Sequence, residues 1–263
     1  MKPLIACIKG IGVLGPGISD WPAAAALLRG EMRYLAAPTV LPAPTVLPAA
    51  ERRRAGRIIK LALAVGAEAV TQADVDARVL PTVFSSSGGD GDNCHEICVT
   101  LASSERQISP TRFHNSVHNA ASGYWSIAYG CAEPSTALCA HDASFGAGLL
   151  EAAALLATGA NAVLLIAYDA DYPPPLRAVR RIPDAFGIAL VLVANDADNL
   201  ARLQLELTAA APGTMNDRAL EALRVSIPAA RSLPLLECVA GRKGGTVILD
   251  YLNDTRLAVR VEV

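Results

Sequence analysis

Apolar residues recur along this chain with two periods, and the switches between them mark its elements. The opening run ACIKGIGVLGPG is apolar and broken by glycines, which predicts a buried strand entering a turn. A short helix over 21–28 follows. Residues 51–70, ERRRAGRIIKLALAVGAEAV, put Ile58, Leu61, Ala62 and Val65 on one face of an amphipathic helix, with Arg52, Arg53 and Lys60 away from it. Residues 80–84 are apolar and β-branched, a strand that ends in SSSGGDGDN before a helix over 93–103. Asn119 is placed to cap a helix over 120–129 that Gly130 closes. Residues 135–140 are short enough for a buried strand, 144–156 repeat small and apolar residues at helical spacing, and 162–168 form an apolar strand. The unit is strand, elbow, helix, strand, with His141 and Asp142 at the elbow, where α/β folds usually place their chemistry. Strands over 187–193 and 200–208 flank a turn at 195–199. A helix over 215–224 and a hairpin of 246–252 with 257–263 complete the pattern. Helices and strands alternate until about residue 195 and strands dominate afterwards, so the class is α/β with an antiparallel C-terminal extension.

One segment fits neither period. Residues 38–49 are PTVLPAPTVLPA, a hexamer written twice, whose prolines forbid helix and central strand and predict an extended surface segment. Two copies are too few for a solenoid.

Composition then narrows the function. With 52% apolar and 18% charged residues, the 263-residue chain can bury a large core and is not disordered. A net charge of −2 supplies no field to hold nucleic acid or an anionic membrane. The most apolar stretch, 152–168, is interrupted by Thr158, Gly159 and Asn161 and falls short of the ~20 residues of a membrane span. Lys9 would sit in the apolar heart of any signal peptide, so a cytoplasmic protein is expected. Six cysteines are too few for a disulfide framework. Cys94 and Cys98 lie one helical turn apart around His95, yet no second pair at zinc spacing exists, so buried structural thiols and no metal are expected. The arginines at 52–54 suit a solvated face better than an anion site. The Gly/Ser turn after residue 84 has the strand-to-helix geometry of a phosphate cradle but neither glycine signature, which favours a plain turn.

The central segment, 108–171, resembles the N-terminal half of β-ketoacyl-acyl carrier protein synthases, enzymes of the thiolase fold. The family's landmarks follow in order: Ile108-Ser109-Pro110, His118-Asn119, Ala121-Ser122-Gly123, Glu133-Pro134, then the post-elbow helix and GANAVLLIAYDAD. Upstream, LPAAERRRAGRIIKLALAVGAEA and SSSGG fit the same half, so the likeness covers most of residues 1–195. It implies a half thiolase fold as one domain over 1–263, a mixed sheet with flanking helices, and no cofactor.

The resemblance also exposes a departure. The family's acyl-accepting cysteine falls on Asp142 whether counted forward from Pro134 or back through the ungapped helix. Cys139 lies three residues early, which reverses its face on a strand and displaces it by roughly 10 Å. A carboxylate cannot carry the acyl chain as a thioester. The two histidines of the family's second half are missing as well, since all four histidines here (95, 114, 118 and 141) come no later than the elbow, and the chain ends about where those motifs would begin. The chain therefore looks like a short, noncatalytic chain-length-factor-type subunit of aryl polyene or related polyketide and fatty acid pathways. Such a subunit pairs with a full-length β-ketoacyl-ACP synthase as a heterodimer and shapes its acyl tunnel, with the acyl carrier protein a second possible partner. Carried over by position, Ser135, Thr136, Ala137, Leu138, Cys139 and Ala140 are the strand that pairs across the interface. Phe113, His114, Asn115, Ser116 and Val117 approach the partner's substrate, and Ile97 and Leu101 supply the tunnel floor; ordinary core is the competing reading of Phe113, Ile97 and Leu101. The alternative is a stand-alone acyltransferase or thioester hydrolase using Cys139 or Ser144 with His141 as base. His141 and Asp142 adjoin, which hinders a relay, and no G-x-S-x-G surrounds Ser144.

Overall fold

The computed structural model describes residues 3–195 and 197–263. Among these, eight strands form one sheet: β1 (Leu4–Leu14), β2 (Thr82–Ser85), β3 (Ser135–Leu138), β4 (Ala162–Asp169), β5 (Phe186–Val193), β6 (Ala201–Thr208), β7 (Gly245–Asp250) and β8 (Arg256–Glu262). Their spatial order is β3-β2-β4-β5-β1-β6-β8-β7. β2 runs parallel to β3 and β4, and every other neighbouring pair is antiparallel. The fold is thus mixed α/β, with the expected antiparallel extension in β6, β8 and β7.

Ten helices surround the sheet among the described residues: α1 (Trp21–Leu28), α2 (Ala49–Arg54), α3 (Arg57–Ala73), α4 (Gly91–Ala102), α5 (Pro110–His114), α6 (Ala120–Tyr129), α7 (Ser144–Ala157), α8 (Leu176–Val179), α9 (Arg218–Ser226) and α10 (Leu233–Ala240). The period of two in β4 sends Val163, Leu165 and Ala167 to a core shared with α1, α7 and α10. Leu164, Ile166 and Tyr168 go to the opposite core with α3 and α6. Covered on both faces, β4 and β5 are almost entirely buried, whereas β6 and β8 alternate because one face is wet. Two glycines allow close approach: a Cβ at Gly12 would meet the Val65 carbonyl of α3, and one at Gly146 would meet the Asp250 carbonyl, where β7 crosses α7.

Several boundaries differ from expectation, each for a local reason. The amphipathic segment from Glu51 is two helices, because Ala55 is extended and Gly56 starts α3 afresh. The strand expected over 135–140 ends at Leu138, since Ala140 leaves the extended region and His141 has φ 51°. The helix expected from 215 begins at Arg218, where the Asp217 carboxylate accepts from the Ala219 and Leu220 amides. The turn at 195–199 includes Asp196, which lies outside the described residues. Residues 228–240, unassigned from sequence, form a 3-10 turn running into α10, whose leucines complete the α7-side core. Among the described residues no helix is long and apolar enough to cross a membrane.

Candidate functional site

The elbow between β3 and α7 is fastened by Ser144. Its hydroxyl donates to the His141 carbonyl at 2.7 Å and accepts from the Ala140 amide at 3.1 Å, which holds His141 in the left-handed region that a β-carbon disfavours. Asp142 follows in the same 3-10 turn. Arg180, just after α8, donates to its Oδ1 at 2.8 Å, and Arg231, in the turn before α10, donates to its Oδ2 at 3.2 Å. Arg231 also binds Asp250 at the end of β7. Two guanidinium groups from separate chain segments therefore converge on one carboxylate. Arg180 donates as well to Nε2 of His141, so the ring's own proton resides on Nδ1, 3.6 Å from Asp142.

Behind the elbow lies a second polar centre. Asp169, at the end of β4, is fully buried and accepts from the Ser87 amide (2.8 Å), the Ser87 hydroxyl (2.6 Å) and the Ala229 amide (2.9 Å). Burial outweighs these hydrogen bonds and pushes its pKa up to about 6. The carboxylate ties the loop after β2 to the segment before α10. It occupies the amide an anion would need, and Gly89 N–H turns back to the Ser86 hydroxyl, so this Gly/Ser segment is a plain turn. The Cys139 thiol donates to the Ser87 carbonyl at 3.1 Å, and His118 Nε2 lies 3.3 Å from the Ser86 carbonyl. Among the described residues no hydrogen bond joins Cys139 or the Ser144 hydroxyl to the His141 ring, and no group of three or more potential metal ligands forms.

The remaining residues singled out from sequence lie in β3, α4, α5 and the loops beside them. β3 pairs with β2 on one side and is an edge strand on the other. Ser135 and Cys139 are exposed; Thr136, Ala137, Leu138 and Ala140 are half-buried. In α4 only Asn93 is buried, and it donates to the Arg112 carbonyl, tying α4 to α5. Ile97 is half-buried, while Leu101, Val117 and Phe113 are exposed, Phe113 to 69%, with His114 and Ser116 also exposed. Phe113 is therefore not core. Asn115 departs from the expected outward role: it is buried, donating to the Arg54 carbonyl and accepting from the Tyr124 hydroxyl. Cys94 and Cys98 are exposed rather than buried, because α4 lacks a neighbour over that face. Sequence reasoning missed Arg180, Arg231, Asp250 and Asp169. Arg180, Arg231 and Asp250 stand in no motif; Asp169 lies in the GANAVLLIAYDAD landmark at the end of an apolar strand, but nothing there marked its carboxylate as a tie between distant segments.

The family model described as beta-ketoacyl synthase, N-terminal domain, matches residues 24–243. This chain belongs to that family. No curated protein matches the sequence. Among solved structures, this ketosynthase-family chain is similar to a chain of the complex of the ketosynthase ApeO with its chain length factor ApeC from Xenorhabdus doucetiae. The two share 22% identity and a TM-score of 0.74, over 99% of each chain. It also resembles the ishigamide ketosynthase/chain length factor, at 13% identity and TM-score 0.74 over 98% of this chain and 99% of that one. A third likeness is to the AntDE:AntF complex, a type II polyketide synthase acyl-carrier protein with its ketosynthase, at 11% identity and TM-score 0.77 over 100% of this chain and 99% of that one. At these identities the likeness is one of fold.

Proposed function

We propose that this chain is a noncatalytic, chain-length-factor-type subunit. It forms a one-to-one heterodimer with a full-length β-ketoacyl-ACP synthase and limits the length of the acyl chain grown there, in polyene, polyketide or fatty acid synthesis. The observation that carries the reading is the clamped carboxylate at the elbow. Where the family places its nucleophile, Asp142 is held by Arg180 and Arg231, and the adjacent His141 has no free acceptor. An ion-paired carboxylate offers no thiolate for acyl transfer.

The surface beside the elbow supports the partnership. β3 leaves one edge unpaired, and Leu101, Phe113 and Val117 stay uncovered; an unpaired strand edge and uncovered apolar side chains are each a liability for a lone subunit. On this reading Phe113 and Val117 project toward the partner, and a growing chain is halted by side-chain volume, because further extension forces steric strain. Co-expression with a full-length synthase encoded beside this chain tests the pairing: a stable one-to-one complex is expected on size exclusion. Persistence of a monomer that ignores the synthase overturns it. In the reconstituted system Phe113→Ala is expected to lengthen the product, and unchanged product length would reduce the subunit to a scaffold. Incubation with an acyl thioester followed by intact mass checks the stand-alone enzyme, for which a covalent acyl group on Cys139 would be required.

A further inference from the structure

The duplicated hexamer takes no part in the elbow or in the edge of β3, and it forms one wall of a cavity against α3. Its first copy is tethered by Thr39, whose amide donates to Asp184 and whose hydroxyl donates to the Ala185 carbonyl, both at 2.7 Å. The equivalent leucines of the two copies turn inward: Leu47 is buried and Leu41 packs on the α3 core. The equivalent valines, Val40 and Val46, remain exposed and line a groove of about 730 Å³ between the strap and α3.

The opposite wall is a second face of α3. Lys60, Leu63, Ala64 and Ala67 fall at i, i+3, i+4 and i+7, so they form one stripe along the groove. At one end stands Lys60, which has no ion-pair or side-chain hydrogen-bond partner among the described residues. At the other end stand Asp20 and Glu68. Glu68 is already engaged. β6 pairs with β1 only as far as Ile8, and beyond it the Val13 amide donates to Glu68 at 2.9 Å and the Trp21 amide at 2.6 Å. From Lys60 to Glu68 the helix rises roughly 12 Å.

We propose that this groove binds a linear aliphatic carboxylate, its tail between the proline strap and α3 and its carboxylate at Lys60. Charge sets the direction, because the acidic end opposite Lys60 repels an anion. Chemistry sets the class. Pro38, Pro42 and Pro44 on the strap wall have no N–H to offer, so a peptide backbone laid there would lose hydrogen bonds, whereas an alkyl chain loses none. Volume fits as well, since the groove lies within the range of small-molecule pockets. The strap is held in place by Thr39 and Leu47 before any ligand arrives, which reduces the ordering cost of binding.

Calorimetric titration of the full chain, alone or in its complex with the synthase, with decanoate, decanol and decylammonium below their aggregation limits tests this. Decanoate is expected to bind saturably, one per chain, and more tightly than either analogue. Lys60→Met is expected to weaken decanoate by about tenfold without weakening decanol, the scale of one charge-assisted contact. Val46→Asp, on the exposed side of the strap, is expected to abolish binding of both with the melting temperature retained. Absence of saturable decanoate binding overturns the proposal. So does equal binding of all three probes, or binding untouched by both substitutions.

Discussion

Asp142 shows how one residue's meaning changes with its neighbours. Counting along the family pattern identifies it as an acid in a nucleophile's place, but its environment comes from Arg180 and Arg231, 38 and 89 residues away in sequence. Asp142→Ala leaves two guanidinium groups without their common partner. It is expected to lower stability by about 1–2 kcal/mol in urea titration, at the modest end because the pair is partly exposed. Asp169 carries a pH signature. In the folded chain its pKa rises to about 6 from an ordinary 3.8 because burial disfavours the charge. The folded state therefore binds that proton more tightly than the unfolded one, and the group's contribution to stability is greatest below about 3.8 and lost as pH rises through about 6. The wild-type stability minus that of Asp169→Asn is expected to fall by on the order of 3 kcal/mol between about pH 4 and 7. A difference that stays flat across that range would show that Asp169 does not titrate this way.

At the scale of elements, periodicity located the strands of the sheet and the longer helices, though not α5, α8 or α10, because a period of two or 3.6 is imposed by the same backbone geometry that builds the element. Boundaries were less legible. The end of β3 at Leu138 follows from a positive φ at His141 that Ser144 enforces, and no apolar pattern encodes that contact. α10 was invisible because Leu233, Leu235, Leu236 and Val239 are apolar on more than one face, the mark of a helix buried between layers rather than lying on one. The hexamer makes the same point within a dozen residues. Within it the leucine turns inward and the valine outward, so Leu47→Ala is expected to cost about 2–4 kcal/mol in denaturant titration. Val40→Ala, at a site 80% exposed, is expected to change stability by less than about 0.5 kcal/mol. Equal effects would show that the strap does not anchor as described.

For the whole molecule, the two proposed surfaces draw on different elements. The partner surface rests on the β3 edge and on exposed side chains of α4 and α5, while the strap groove lies along α3. The double substitution Phe113→Asp with Val117→Asp lies on exposed side chains and is expected to leave the melting of the chain nearly unchanged. It is expected to abolish co-purification with the synthase, and a complex that survives it would locate the interface elsewhere.

What the sequence determined by itself was the class of fold and the order of its elements, because both are written in local spacing along the chain; the reading of Asp142 as the nucleophile's counterpart rests on the family resemblance. Tertiary structure alone decided that Asp142 is clamped by arginines, that Asp169 ties the loop after β2 to the segment before α10, and that twin valines border a cavity. Such outcomes depend on which distant segments the sheet brings together, and ion pairing, burial and cavity shape arise only once they meet.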